Sequence, residues 1–446
     1  MENPLRAQTP QEAIIEARPI GEVQDEALES FLASQLAFVL EASPFYQAKL
    51  GSTPGTIPRK ADELQRLLAG LPFTTKAEVL ADQEGSPPFG RNRCAEPAAI
   101  LRVHKTSGTT GRPVLLAYTA EDIRLTVQAG ARCFRAAGRG PGNMVAHCLN
   151  YCMWAGGYTD HQSLEATGAA VIPFGVGNSR NLLETILLLR ADAIHCTPSY
   201  MIKLEEIVRD ELGMEPAALG LKLGLFGAEA GLEDPNFRQQ LEATWGMRAM
   251  NANYGMSDVL SMFGAECAER RGLHFFGQGI VHVEIIDPES GCGRAIEAGA
   301  AGELVLTNLR KRAQPMIRYR TGDVIEVLGT ETCGCGRGGF RFRVRGRADD
   351  MIVVKGLNVF PSAVAGVVNE HLGELTGAYE IVISRHNPVQ RFLVRAEARA
   401  EAAADCHARL LAALTRRLTI RPELELLPAG SLPRTEGKSK RIRRGL

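Results

Sequence analysis

The sequence predicts an α/β protein: a large N-terminal domain of layered α/β sheets with a β-rich subdomain, then a small C-terminal α+β domain. Three observations carry this. Between about residues 100 and 260, short apolar runs alternate with segments of helical spacing. From 280 to 345 the pattern changes to short strands separated by turns. After Gly346–Asp350 a strand, strand, helix, strand pattern closes the chain. The expected division is 1–346 for the N-terminal domain, with its β-rich part at about 265–345, and 347–446 for the C-terminal domain.

The elements follow in order. The first twenty or so residues read as loosely structured. Leu28, Phe31, Leu32, Leu36, Val39 and Leu40 then recur at helical spacing, which predicts an amphipathic helix over 23–42. In LPFTTKAEV (71–79), Thr74 or Thr75 is placed to cap the next helix. Runs 143–149, 170–174, 192–196 and 221–226 read as buried strands, with helices at 120–137, 180–190 and 199–212 between them. That alternation predicts a parallel sheet, whose ligands bind at the strand ends. VHVEIID, GELVLTNL, GDVIEVL and FRFRVRG supply the β-rich part. The C-terminal strands are expected at 378–384, 391–397 and 423–427, with a helix at 403–418.

Composition narrows the function. At 446 residues, 45% hydrophobic and 23% charged, the chain is a typical globular one with room for several cores. A formal net charge of zero provides no overall field for nucleic acid or membrane. The polar start MENPLRAQTPQEA is not a signal peptide, and no apolar run reaches membrane-spanning length. Ten scattered cysteines, several in apolar segments, fit a reducing cytoplasm better than a disulfide framework.

TSGTTGRP (106–113) is the most informative stretch. Its backbone N–H groups and the hydroxyls of Thr106, Ser107, Thr109 and Thr110 can converge on one small anion. Gly108 and Gly111 allow close approach, and Arg112 adds charge. The flanks read as strands, so the loop is a strand–loop–strand phosphate clamp rather than a loop opening a helix. Alone, it also fits an ordinary hairpin turn. Other fragments are NANYGMSDV (251–259), YRTGDV (319–324), GRADDMIVVKGLNVFP (346–361) and PRTEGKSKR (433–441). Each, alone, also fits a plain turn, linker or solvated tail.

Taken in this order, the fragments resemble the acyl-adenylate-forming superfamily. LPFTTK, GAEA (227–230), YRTGD and GLNVFPS (356–362) are similar to the phenylacetate–CoA ligase branch. The resemblance implies that a carboxylic acid is activated with ATP and Mg2+ as acyl-AMP and then passed to coenzyme A. It places residues 106–112 on the β- and γ-phosphates, and Gly227, Ala228 and Glu229 by adenine. Asn253, Tyr254, Gly255, Met256 and Ser257 would line the nucleotide, with Tyr254 near adenine and Asp258 facing magnesium. Asp323 would hold the ribose hydroxyls, and Arg347 would position the nucleotide. Lys438 would bridge the acid and the α-phosphate. Asp349 would be the hinge about which the C-terminal domain swings between half-reactions. Two positions depart from the family pattern. Asp258 stands where glutamate is usual, shorter by about 1.5 Å. GAEA lacks the proline that commonly follows the glutamate.

Some relatives in this branch carry a structural zinc, and Cys267, His274, Cys333 and Cys335 match its places as three thiolates and one imidazole. Their C-x-C spacing is tight and Cys292 competes, so unrelated residues beside a turn remain the plain alternative. For the acyl group, NYCMWAGGY offers Tyr151 and Trp154, with Gly156 and Gly157 leaving room for a flat ring. The plain alternative is a helix start with core aromatics. His147, His161 and His195 read as packed or solvent-facing, because this chemistry needs no general base. The expected acid is aryl or arylacetic. A carrier-protein phosphopantetheine or an amine is the alternative acceptor, and a nucleotide-binding regulator without turnover is a third reading. A homodimer is compatible with all of them.

Overall fold

The computed structural model describes residues 10–51, 57–106, 113–229, 231–348, 352–354, 357–359, 361–384, 391–418, 420–432 and 442–444. The chain divides into two units. The first comprises Met1–Ala228, Trp245–Thr321 and Ile325–Arg343; the second, Glu229–Thr244, Gly322–Val324 and Val344–Leu446. No described helix is long and apolar enough to cross a membrane.

The strands, in chain order, begin with β1 Arg102–Lys105, β2 Leu115–Tyr118, β3 Met144–His147, β4 Ala170–Pro173, β5 Ala193–Cys196, β6 Leu223–Gly227 and β7 Arg248–Met256. They continue with β8 Leu260–Glu266, β9 Leu273–Phe275, β10 Val281–Ile286, β11 Gly293–Arg294, β12 Ala301–Asn308, β13 Tyr319–Gly329 and β14 Arg341–Arg347. In the second unit lie β15 Ile352–Val354, β16 Leu357–Val359, β17 Leu375–Ile383, β18 Phe392–Ala398, β19 Glu423–Pro428 and β20 Ile442–Arg444.

β4, β3, β5, β6 and β7 form a parallel run in that spatial order. They are the four expected apolar runs plus β7. Helices Ala120–Ala136, Ser179–Leu189 and Pro198–Asp210 fall where helical spacing predicts them. β5 and β6 are buried at every residue, as strands covered on both faces must be. β7 then pairs antiparallel with β8, and the sheet passes into the β-rich part. The chain order along the sheet reverses around β3, which sits between β4 and β5. The crevice at the carboxyl ends of β3 and β5 is therefore the topological switch point, the place where open α/β sheets generally bind ligands.

The N-terminal helical run spans 20–42 and contains one π turn at Leu28–Leu32. Leu28, Leu32, Leu36 and Val39 are buried against Tyr46, Leu64 and Ile317. Each such side chain contributes about 1.5–3 kcal/mol on burial. Thr75, not Thr74, caps the helix Lys76–Gly85, in a capping box with Glu78. Thr74 is buried and donates its hydroxyl to the Ile317 carbonyl at 2.7 Å.

Three features depart from what local sequence suggests. Pro10–Ala17 is helical where loose structure is expected. A remote turn holds its end: Gly338 and Gly339 donate their N–H groups to the Glu16 and Arg18 carbonyls at 2.8 and 3.0 Å. Glu16 also pairs with Arg337 at 2.9 Å. Second, Asp323 lies within a strand rather than in the plain turn that YRTGDV alone also fits. β13 runs continuously from Tyr319 to Gly329, with Gly322 at φ +75°, a conformation that glycine adopts without strain. Third, Ala155–Glu165 is a full helix although its AGGYTDHQSLE sequence has poor intrinsic propensity.

The second unit contains the sheet β19–β18–β17–β20 and helices Pro361–Asn369 and Cys406–Leu418. Its core includes Val364, Val368, Ile381, Val394, Leu410 and Leu414. Helix Cys406–Leu418 and three of the four strands coincide with the C-terminal elements expected from sequence, whereas helix Pro361–Asn369 is not among those expected.

Candidate active site

In the first unit, the strands flanking the glycine-rich loop, the NYCMWAGGY segment and the YGMSD turn are joined by hydrogen bonds. β1 and β2 pair antiparallel, so the flanks of the glycine-rich loop are strands as read. Ser107, Gly108, Thr109, Thr110, Gly111 and Arg112 lie outside the described residues. The loop's ends are pinned: the Thr106 N–H donates to the Val114 carbonyl at 3.0 Å, and Val114 N–H donates to the Thr106 hydroxyl at 2.9 Å.

This hairpin is tied to two other motifs. Lys105 N–H donates to the Met153 carbonyl at 2.9 Å, which His104 Nδ1 also contacts at 3.2 Å. Tyr118 donates its hydroxyl to the Ser257 carbonyl at 2.7 Å. The structure thus joins the loop's base to the NYCMWAGGY segment and to the YGMSD turn. Gly227 ends β6 and lies against Asn253 of β7, where a Cβ would collide. Ala228 follows at φ +62°, an uncommon conformation for alanine that aims the next backbone groups away from the strand direction. Glu229 belongs to the second unit.

On β7, Tyr254 packs edge-on against Phe263 and Phe342, with centroids 5.2 and 5.4 Å away. Gly255 lies against the Ser261 backbone, leaving no space for a side chain. Asn253 donates its amide to Asp160. Met256 ends β7, and the turn then carries Ser257 and Asp258. Asp258 is 7% exposed, and its Oδ1 is buried without a hydrogen-bond partner among the described residues. A buried bare carboxylate oxygen is an unsatisfied acceptor that a cation would complete. Its own carbonyl accepts from the Lys311 ammonium at 2.8 Å. Burial lowers Lys311 to about 8, and the Asp122 and Asp258 carboxylates oppose that fall. Sequence reading missed Lys311, because nothing local marks a lysine that β12's following turn carries under a motif fifty residues earlier.

The NYCMWAGGY segment is built differently from the expectation. Gly157 leaves no vacant room: a Cβ there would meet the Asn150 carbonyl and, at 2.8 Å, the Tyr151 Cα. Its glycine lets helix Ala155–Glu165 start directly beneath the Asn150–Tyr151 backbone. Gly156, by contrast, has only ordinary contacts at 3.5 Å and beyond. Trp154 is the residue before the helix and half-buried. Tyr151 shares a hydrogen bond with His161 Nδ1 at 2.9 Å. The substitution Gly157→Ala is therefore expected to displace Tyr151 and Trp154 and, with the acid site where the resemblance implies it, to lower kcat/KM for the acid by about tenfold or more. Steady-state kinetics with saturating ATP checks it, with Gly156→Ala as the milder comparison.

His147 ends β3 and faces His195 of β5 across the switch point, with Nδ1 atoms 2.8 Å apart. Both are packed, as expected; neither is solvent-facing. His147 Nε2 contacts the Gly157 carbonyl at 2.7 Å, so it carries the proton. His147 Nδ1 is then the acceptor and His195 Nδ1 the donor. Burial pushes His147 down to about 4 and His195 well below its usual value. Burial, with Arg318 beside it, pushes His282 to about 4. These rings are neutral when folded, whereas unfolded they take protons near pH 6.5. Between about pH 6.5 and 4 the unfolded chain binds more protons, so stability falls as pH falls through that window. The urea midpoint at pH 5 is expected to lie below that at pH 7.5; an equal or higher value contradicts this.

In the second unit, Asp323 Oδ1 accepts from Arg347 Nη1 at 2.8 Å. The Ala348 N–H donates to the Gly322 carbonyl at 2.6 Å, fixing the two segments together. Asp349 and Lys438 lie outside the described residues.

The metal candidate is compact. Cys267 follows β8, His274 is on β9, and Cys333 and Cys335 lie in the turn before β14. β14 pairs with β9, setting Arg341 opposite His274 and bringing the turn to the histidine. The four ligand atoms lie within 4.8 Å of one another. Cys267 and Cys333 sulfurs are 3.8 Å apart, and Cys335 sulfur is 3.6 Å from His274 Nε2. A tetrahedral zinc with ordinary bond lengths has S–S edges of about 3.8 Å and S–N edges of about 3.6 Å. Burial lowers His274 to about 4, with Arg337 and Arg341 acting the same way, so its imidazole is free of the competing proton. Its Nδ1 is buried without a partner among the described residues.

Comparison with known proteins gives concordant findings. Residues 356–444 match the AMP-binding enzyme C-terminal domain. The chain is 32% identical over 437 residues to phenylacetate–coenzyme A ligase of Thermus thermophilus, covering 93% of this chain and 95% of that protein. It is 31% identical over 440 residues to the Escherichia coli K12 enzyme of the same name, covering 95% and 96%. Among solved structures, 2-hydroxyisobutyryl-CoA ligase in the postadenylation state with 2-HIB-AMP superposes with a TM-score of 0.87 at 27% identity, covering 100% of this chain and 95% of that one.

Proposed function

This chain belongs to the phenylacetate–CoA ligase family of acyl-adenylate-forming enzymes, and from that premise we propose that its acid is an aryl or arylacetic one. It is an AMP-forming acid–CoA ligase. The acid's carboxylate oxygen attacks the α-phosphorus of ATP, and pyrophosphate leaves. The CoA thiol then attacks the acyl carbon, forming the thioester and releasing AMP. Activation is needed because a carboxylate is a poor electrophile with an oxide as leaving group. The residues must hold two anions together and offset the charge growing at the α-phosphate.

In this reading the 106–112 loop holds the outer phosphates, and Lys438 bridges the acid and the α-phosphate. Asp323, steadied by Arg347 at 2.8 Å, takes the ribose hydroxyls. Glu229, the Gly227–Ala228 backbone and the 253–257 segment bound the adenine side. Asp258 would hold Mg2+, which supplies charge neutralisation for the phosphates; its bare, buried Oδ1 supports that role. Cys267, His274, Cys333 and Cys335 would hold a structural zinc, supported by edges matching a tetrahedral ion.

The observation that carries the aromatic assignment is the Tyr151–Trp154 turn at the switch point, supported by four relatives named for phenylacetate. The 0.87 superposition on 2-hydroxyisobutyryl-CoA ligase, together with the Tyr151–His161 pair, favours a small hydroxy acid as the second reading. Thioester formation from phenylacetate, benzoate and 2-hydroxyisobutyrate separates them. The aromatic acids are expected to give the higher kcat/KM; preference for 2-hydroxyisobutyrate overturns the assignment. Formation of acyl-AMP without CoA thioester would point to a carrier-protein or amine acceptor.

A further inference from the structure

A cleft of about 620 Å³ opens in the first unit at the amino ends of the parallel strands. Met144, Leu223 and Arg248, which begin β3, β6 and β7, line it together with Asp192, the residue before β5. The switch-point crevice lies at the other end of the same strands, about 13 Å away along β3. Nothing in the adenylation chemistry uses this face.

Its charge is one-sided. Arg139, Arg190, Lys222 and Arg248 line the cleft, and Asp192 is the one acidic side chain among its lining residues. Asp192 is already committed: it accepts from Arg139 Nη1 at 2.7 Å, from the Met144 N–H and from the Asn143 amide at 3.2 Å. That leaves a surplus of three positive charges in a chain whose formal net charge is zero. Arg139 is 9% exposed, and its Nε is buried without a partner among the described residues. Arg248 spends one nitrogen on the Ala268 carbonyl.

Helix dipoles explain part of this. Arg139 follows helix Ala120–Ala136, and Arg190 caps Ser179–Leu189, where cations are favoured. That reason does not reach Lys222 and Arg248, which stand at the starts of strands. The volume is in the range of small-molecule sites. Guanidinium forks and an ammonium around one hollow suit phosphate oxygens.

We propose that this cleft is an accessory binding site for a small phosphate-bearing anion, separate from the catalytic nucleotide site. The guest carries at least two negative charges, which the surplus of three offsets. Arg190, Lys222 and Arg248 supply that surplus, since Arg139 is paired with Asp192.

Calorimetric titration of the full chain at low ionic strength tests this, because screening weakens exposed charges. The nucleotide site is first saturated with an acyl-sulfamoyl adenosine, and tripolyphosphate or ATP is then added as probe. One further site per chain is expected. Reversal in the Arg190→Glu/Lys222→Glu variant is expected to weaken it by about tenfold or more, while kcat/KM for ATP stays within about twofold. That retained activity shows the variant is folded, and Arg190→Gln/Lys222→Gln should fall between. Equal affinity for both probes identifies phosphate alone as the recognised group; tighter ATP binding identifies a nucleotide. Absence of residual binding in the unmodified chain, or unchanged binding in the reversed variant, overturns the proposal.

Discussion

Lys438→Ala is expected to slow acyl-adenylate formation by about a hundred- to a thousandfold while leaving thioester formation from supplied acyl-AMP close to the unmodified rate. A positive charge at the α-phosphate acts mainly where charge develops in the transition state, and removing one such group has about that effect. In the second half-reaction the phosphoryl bond is already made and the thiol attacks carbon. The lysine's contribution there is small if the C-terminal domain has carried it away. Pyrophosphate exchange reads the first step, and CoA consumption with synthetic acyl-AMP reads the second. Equal loss in both would mean a structural role, and no loss in either would remove the residue from the mechanism. Lys438→Arg keeps the charge but not the shape, and should recover only part of the rate.

Loss of the four-ligand cluster is expected to have the largest effect on stability. Cys267, 1% exposed, joins the end of β8 to the turn before β14 if a metal sits between them. A tightly held ion binds the folded chain alone and contributes about 4 kcal/mol when present at a thousand times its dissociation constant. In a unit of this size that is a Tm decrease on the order of 5–10 °C for Cys267→Ser. The same variant should emerge without zinc, whereas metal analysis of the unmodified chain is expected to find one zinc per chain. Cys152→Ser, at an exposed cysteine outside the cluster, should change neither. A metal-free unmodified chain from a chelator-free preparation, with Cys267→Ser melting at the same temperature, would contradict the assignment.

The parts of the fold that sequence reading reaches are those written locally. β5 and β6 are buried on both faces, so they appear as unbroken apolar runs. The helix at Ala120–Ala136 has a capping box between Thr119 and Asp122, and the glycine-rich loop carries its strands on either side. What escapes depends on partners distant in sequence. Pro10–Ala17 is held by a turn more than three hundred residues away, through Gly338 and Gly339. Gly157 looks like space for a ligand but serves a backbone contact with Asn150. His147 and His195 each look like a core histidine, and only parallel pairing of β3 with β5 makes them a hydrogen-bonded pair. The cluster's residue types were legible, but its geometry required the β9–β14 register. The basic cleft was not legible at all: Arg139, Arg190, Lys222 and Arg248 meet only because parallel strands start side by side.

Exchange of labelled pyrophosphate into ATP, run without CoA across a panel of carboxylic acids, tests the central claim most directly. The account predicts no exchange without an acid, and exchange that rises with aryl or arylacetic acids and requires Mg2+. Failure of every acid to support exchange, with ATP still bound, would contradict it.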